Sequence, residues 1–358
     1  MRRSSSLRLL PTLALVALAA TGCATVPSFR PIPPVGPGYR LPPDFRVVGY
    51  FPSWSGDPEG LQFDALTQID YAFLASTPEG GYEPVSHPAK LARLVALAHA
   101  RGVKVLASVG GWTGYGPSPF DTISSDPQLT LRFVLNTLAL VDEYDLDGLD
   151  IDWEFPSREA ADRFAALIRA LADDLHAAGK LLTIAVSATY RHGDSVEDSV
   201  IANVDFLDIM AYDDGVGGPP GVPHSSYAFA EKALNYWLVS RDVPAHKAVL
   251  GVPFYGRSLK NYHARTFKSI VAEDPNAPAK DLSRGYAYNG FATIRAKTMR
   301  LARERAGGIM IWQIAQDAPG GDSLLNAIYD AVKQPLEYPL PRDRAYPQRS
   351  WYYPLLER

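Results

Sequence analysis

Eight short apolar runs recur along the chain at a spacing that leaves room for a helix between most of them. They are Val47–Trp54, Gln68–Leu74, Val103–Val109, Gly148–Phe155, Leu182–Thr189, Phe206–Asp213, Ala248–Gly256 and Gly308–Ile314. Near-continuous apolar strands alternating with helices describe a parallel sheet covered by those helices. Ala89–Arg101 carries Leu91, Leu94, Val95 and Ala98 at helical spacing. Leu129–Tyr144 follows Asp126-Pro127, and Ser157–Ala178 begins at a serine cap and stops before Gly179. Ser225–Val239 and Phe291–Arg305 complete the clear helices, while Leu61–Leu66 and Val196–Asn203 are weaker. Eight such units over residues 46–334 have the size of a (β/α)8 TIM barrel. An open doubly wound sheet would carry a glycine-rich phosphate loop after its first strand. Here that strand ends Gly49-Tyr50-Phe51-Pro52-Ser53-Trp54, so the chain is predicted to close into a barrel.

The fourth run is unusual for a buried strand. Asp147, Asp150, Asp152 and Glu154 fall within eight positions, interleaved with Leu149, Ile151, Trp153 and Phe155. With a period of two, Asp150, Asp152 and Glu154 share one face, and the apolar residues pack toward helices on the other. Carboxylates facing a protein interior are costly unless protonated, paired or hydrogen-bonded, so this row points to chemistry. Barrel enzymes place functional residues at the C-terminal ends of strands. Other strand ends carry polar and aromatic residues there: Ser108-Val109-Gly110-Gly111-Trp112, Met210-Ala211-Tyr212-Asp213 and Ile311-Trp312-Gln313.

The DxxDxDxE pattern formed by Asp147, Asp150, Asp152 and Glu154 resembles the signature of glycoside hydrolase family 18, the chitinase family, and the resemblance runs from Arg46 to about Val332. It implies hydrolysis of β-1,4 linkages at N-acetylglucosamine units with retention of configuration, the 2-acetamido carbonyl of the sugar serving as nucleophile. In that scheme Glu154 is the general acid and then base. Asp152 shares a proton with Asp150 or turns to the acetamide N–H, and Asp150 is expected to hold the shared proton. Asp147 is either a support or a catalytic member. Tyr212 would donate to the acetamide carbonyl, Asp213 would contact the sugar, Met210 would line the floor, and Trp312 would stack on the ring. Tyr50, Phe73 and Trp112 are expected to line the cleft, and Arg257 to bind a sugar or brace a loop. Gly110 and Gly111 would let backbone approach beside the acid. Many family members carry a substantial α+β insertion between strands seven and eight. Only Lys260–Gly290 is available here, so a reduced insertion of loop and small hairpin, and a shallower groove, are expected. The same residues would serve peptidoglycan or the chitobiose core of N-glycans, and a non-catalytic chitin-binding lectin is the alternative of another class.

A formal charge of -4 and a pI near 6.0 give no basis for a nucleic-acid partner. The histidines show no close metal-ligand spacing, so neither metal nor organic cofactor is expected. Arg2, Arg3 and Arg8 precede an apolar run, Leu9–Ala20, and then Thr21-Gly22-Cys23. This reads as a secretory signal over residues 1–22, and the position of Cys23, the sole cysteine, resembles a bacterial lipobox. A lipid on Cys23 would tie the chain to the cell envelope, with the outer membrane expected because Ala24 rather than Asp follows; simple secretion is the alternative. Residues 23–45 are proline-rich and read as a tether, and residues 335–358 form a tail of unassigned role. The protein is expected to act as a monomer on an N-acetylglucosamine-containing glycan.

Overall fold

The computed structural model describes residues 45–333 apart from Tyr115 and Pro219. Its strands are β1 (Arg46–Pro52), β2 (Gln68–Leu74), β3 (Lys104–Gly110), β4 (Gly148–Asp152), β5 (Leu181–Ser187), β6 (Phe206–Met210), β7 (Ala248–Pro253), β8 (Tyr255–Ser258), β9 (Ala264–Thr266), β10 (Leu282–Ser283), β11 (Tyr286–Ala287) and β12 (Gly308–Trp312). Its helices are α1 (Pro88–His99), α2 (Pro119–Ile123), α3 (Pro127–Glu143), α4 (Ala161–Ala177), α5 (Tyr190–Gly193), α6 (Asp198–Asn203), α7 (Tyr227–Leu234), α8 (Phe267–Glu273), α9 (Phe291–Glu304) and α10 (Leu324–Lys333). Eight parallel strands close in the order β1-β12-β7-β6-β5-β4-β3-β2, the predicted (β/α)8 barrel.

Helix starts follow the local sequence. Asp126 caps α3 by accepting from the Gln128 N–H, with Pro127 at the position that needs no donor. Ser226 caps α7 through the Phe229 N–H. The serine expected to cap α4 does not do so: Ser157 opens a 3-10 turn, Arg158–Ala160, and α4 starts after it. The weak first unit holds only 3-10 turns at Pro58–Gly60 and Phe63–Ala65.

Strand alternation divides the apolar residues into two clusters. Outward residues such as Leu149, Ile151, Leu207, Ile209, Ile309 and Ile311 pack under the helices in the main core. Leu167, Ile168, Leu171 and Leu175 of α4 are fully buried there, each contributing about 1.5–3 kcal/mol. Inward residues form a smaller cluster of Val48, Tyr50, Ala72, Phe206, Val249 and Met310.

Two expectations about the chain between β7 and β12 change. The seventh barrel strand ends at Pro253, and Tyr255–Ser258 leaves the barrel to join a second sheet, ordered β10-β11-β8-β9 and antiparallel throughout. With α8 this makes a small α+β layer where a loop and hairpin were expected. Strands of two to four residues are too short to show periodicity, which is why the sequence concealed them. Asp147 is settled as a support. Three residues before Asp150, it lies on the opposite face, where its carboxylate accepts from the Val105 N–H at 2.7 Å and lies 2.9 Å from His99 Nε2. Asp205 repeats the arrangement before β6 with the Leu182 N–H and His176.

The barrel interior also holds three fully buried carboxyl groups, Asp70, Asp150 and Asp208. Register places Ser108, Asp150 and Thr183 level on β3, β4 and β5. Asp150 accordingly accepts hydroxyl hydrogen bonds from Ser108 at 2.7 Å, Thr183 at 2.8 Å and Tyr50 at 2.8 Å. Asp70 accepts one bond, from Gln68 Nε2 at 2.8 Å. Neither oxygen of Asp208 has a donor among the described residues. Burial raises all three pKa values, but the hydroxyls oppose the rise at Asp150. Asp150 is therefore the best supplied with donors of the three, and Asp208, with none among the described residues, is the one that burial most inclines to keep a proton.

Asp208→Asn tests this distribution. With its pKa raised above the ordinary 3.8, folded Asp208 keeps a proton that the unfolded chain releases as pH climbs past that value. Its contribution to stability falls by up to about 1.4 kcal/mol per pH unit from there toward the folded pKa. In urea denaturation the variant should gain on the parent as pH rises above about 4. A gap that stays constant would show that Asp208 does not carry the proton.

Candidate active site

Asp152 is the last residue of β4, and Glu154 follows it at the barrel mouth. The residues on either side of Glu154 fix its direction. Trp153 turns back into the core, 5.6 Å from the Phe120 ring and 5.5 Å from Phe164, while Phe155 stacks on His192 at 4.6 Å. On the β3 side the backbone comes close, as expected for the glycine pair. The Gly111 N–H donates to the Asp152 carbonyl at 2.8 Å, and a Cβ on Gly110 would sit 2.2 Å from that oxygen. Gly110 also has φ of +116°, which side chains disfavour.

Each carboxyl group at this mouth has a different environment. Burial, assisted by the Asp213 charge, pushes Glu154 up to about 7. Asp152 is raised well above the carboxylate range by burial and then by Glu154, Asp150 and Asp70, and its Oδ1 has no donor among the described residues. Asp213 moves the other way. Burial raises its pKa, but hydrogen bonds from His224 and Arg257 and the guanidinium charge outweigh this and hold it well below the usual range. Arg257 spans both its oxygens, with Nε at 2.8 Å and Nη2 at 2.5 Å, and the Tyr255 hydroxyl donates at 2.8 Å. Arg257, reaching across from β8, thus braces Asp213. The anion is fixed in place, and its field favours the protonated form of Glu154.

Tyr212 leaves the end of β6 on the inward face, with its hydroxyl 3.9 Å from Met310 Sδ. Burial and the surrounding acidic groups raise its pKa well above 10.0, so it keeps its proton and is able to donate a hydrogen bond. Met210 packs into the inner cluster beside it. Trp312 ends β12 half-buried, stacked on Phe73 at 5.5 Å and edge-on to Tyr50 at 5.7 Å. A register shift in the β2–β3 pairing between Ala72 and Leu74 turns Phe73 inward, although its parity would have sent it into the outer core.

The three further aromatic candidates separate. Phe73 reaches the cleft, Tyr50 is 1% exposed and serves Asp150 from below, and Trp112 is 57% exposed on the rim. Sequence reasoning missed Ser108, Thr183, Asp70, Asp208, Tyr255 and His224. Ser108 and Thr183 could have been found, because inward parity places hydroxyls on both strands flanking Asp150. Trp54 was also missed; it lies 58% exposed and 6.2 Å from Phe73, extending a row of rings from Trp312 outward.

Asp70, Asp150 and Asp208 bring carboxylate oxygens within 4.8 Å of one another, the one such grouping of potential metal ligands among the described residues. Three hydroxyls already occupy Asp150, so the geometry suits acids sharing protons better than a coordination shell.

Comparison with known proteins agrees with this geometry. Residues 46–317 match the sequence profile of the glycosyl hydrolases family 18. Similar proteins include Probable chitinase 10 of Drosophila melanogaster, 27% identical over 317 residues, and a chitinase-like effector of Moniliophthora roreri, 31% identical over 244 residues. The matches take in 77% and 59% of this chain but only 13% and 58% of those proteins. The GH18 chitinase ChiB from the chitin utilization locus of Flavobacterium johnsoniae superposes with a TM-score of 0.72 at 27% identity, covering 82% of this chain and 94% of that one. A parallel eight-stranded barrel, an acidic row on its fourth strand and a profile match over most of the described residues lead to one assignment: the chain belongs to glycoside hydrolase family 18.

Proposed function

We propose that the protein is a retaining glycoside hydrolase that cleaves β-1,4-linked N-acetylglucosamine polymers or oligomers of the chitin type by substrate-assisted catalysis. The observation that carries this reading is the pairing of Glu154, with a pKa near 7, and a proton-bearing Tyr212 at the mouth of a barrel of buried acids. The chitinase names of the matched relatives support the choice of glycan.

In the first step Glu154 gives its proton to the glycosidic oxygen as the C1–O bond breaks. The acetamido carbonyl oxygen of the same sugar bonds to C1 and forms a cyclic oxazolinium ion. Tyr212 donates to that carbonyl oxygen, and the unpartnered Oδ1 of Asp152 accepts the acetamide N–H. In the second step the Glu154 carboxylate takes a proton from water, whose oxygen bonds to C1 as the ring opens. Two inversions at one carbon give net retention. The sugar lies on the Trp312 face, and the Phe73 and Trp54 rings extend that platform for further units.

Glu154→Gln should lower kcat on chitotetraose by about 10²–10⁴-fold with KM near the parent value. In the parent, kcat/KM should fall as pH rises through about 7, where Glu154 loses the proton it must deliver. Cellotetraose, which lacks the acetamido group, should remain intact. Activity in Glu154→Gln equal to the parent would remove Glu154 from the role of acid. Binding of chitotetraose without cleavage by the parent would favour another acetamido-glycan as substrate or a lectin.

We also propose attachment to the bacterial cell envelope through a lipid on Cys23, supported by the sequence of residues 1–23; these lie outside the described residues. No helix among the described residues is long and apolar enough to cross a membrane. In cell fractionation, Cys23→Ser should move the protein from the membrane pellet to the soluble fraction, and continued retention in the pellet would contradict lipidation.

A further inference from the structure

Lys297 on α9 is 1% exposed, and the mechanism above does not use it. Its ammonium donates to the Ser225 carbonyl at 2.9 Å, the Ser225 hydroxyl at 2.9 Å and Asn289 Oδ1 at 2.8 Å. All three acceptors are neutral, and Lys297 makes no ion pair among the described residues. A buried ammonium without a counter-charge is costly. Burial lowers its pKa to about 7, with Asp281 only partly opposing. A hydrophobic residue would fill this space without that cost, so the three hydrogen bonds must serve a purpose in what they hold.

They hold the segment that backs the sixth strand end. The Ser225 hydroxyl, which accepts from Lys297, donates to the Ala211 carbonyl at 2.8 Å, the peptide group joining Ala211 to Tyr212. The adjacent His224 places Nδ1 3.2 Å from Asp213 Oδ1, and its carbonyl accepts the Asp214 N–H at 2.9 Å. Asn289 closes the arrangement by donating to the Ser225 carbonyl at 2.7 Å. One amine therefore ties α9 and the end of the inserted layer to the backbone that aims Tyr212 and Asp213. Asp213 has φ of +60°, the left-handed turn conformation that aspartate tolerates better than most side chains.

We propose that Lys297 is a positioning residue for the reaction: through Ser225 and His224 it holds the Tyr212–Asp213 turn in the orientation that meets the acetamido group. This rests on the substrate-assisted reading given above.

The test is a double-mutant cycle in the full chain on chitotetraose, with kcat normalised to folded protein. Lys297→Met, which keeps the length of the side chain and removes the donors, should lower kcat by about tenfold or more while KM changes by less than about threefold. In a Tyr212→Phe background the same substitution should cost far less, because the hydroxyl it positions is already gone. If Lys297→Met does not fold, Ser225→Ala, which breaks the link to the Ala211 carbonyl, takes its place in the cycle. An unchanged kcat, or an equal fold-loss in both backgrounds, would reduce the residue to a structural role and overturn the proposal. A parent that cleaves no acetamido-glycan would instead remove the functional reading, and the proposal with it.

Discussion

A carboxyl group taken out of water must find donors or keep its proton, and the interior of this barrel is arranged around that requirement. Along β4 the inward positions are Gly148, Asp150 and Asp152, with Glu154 just beyond the strand. Parallel register supplies Asp150 with hydroxyls from both neighbouring strands and a third from Tyr50 on β1. Asp70 has one donor and Asp208 none among the described residues, and burial raises the pKa of both. Glu154, just beyond the strand, is raised to about 7 by burial and then by the Asp213 charge.

Asp213 supplies the contrast that makes the site work. Arg257, Tyr255 and His224 converge on it and fix a negative charge close to Glu154. Two carboxyl groups in one cleft thus take opposite protonation states because one has donors and the other has burial. The small inserted layer contributes more than a wall to the cleft. Its first strand, β8, carries Tyr255 and Arg257, and its end supplies Asn289 to the Lys297 cluster. Removing the insertion would leave the acidic row intact but free the anion that tunes it.

Much of this was legible in the sequence. The alternation of apolar runs with helical stretches identified the barrel, and the period of two put Asp150, Asp152 and the turn to Glu154 on one face. Gly110 and Gly111 were read as sites of close backbone approach, and a Cβ at either would collide with its neighbours. What escaped was whatever depends on partners distant in sequence. Asp70 and Asp208 look like ordinary polar positions until closure of the sheet brings them within reach of Asp150. Phe73 faces inward only because the pairing slips beside it, and Lys297 looks like a surface lysine on a helix until its 1% exposure is known. Tyr50 was assigned to the cleft because strand-end position does not distinguish a wall from a floor.

In the reaction we propose, Glu154 works without a second carboxylate as nucleophile, the sugar's own carbonyl taking that part. The most direct measurement is kcat/KM for aryl glycosides of N-acetylglucosamine in which the acetamido methyl carries zero, one, two or three fluorines. Fluorine withdraws electrons from the carbonyl oxygen and leaves the leaving group unchanged. Attack by the carbonyl should give a steady, steep fall in rate along the series. A flat series would mean that the carbonyl does not attack, and that an enzyme carboxylate does.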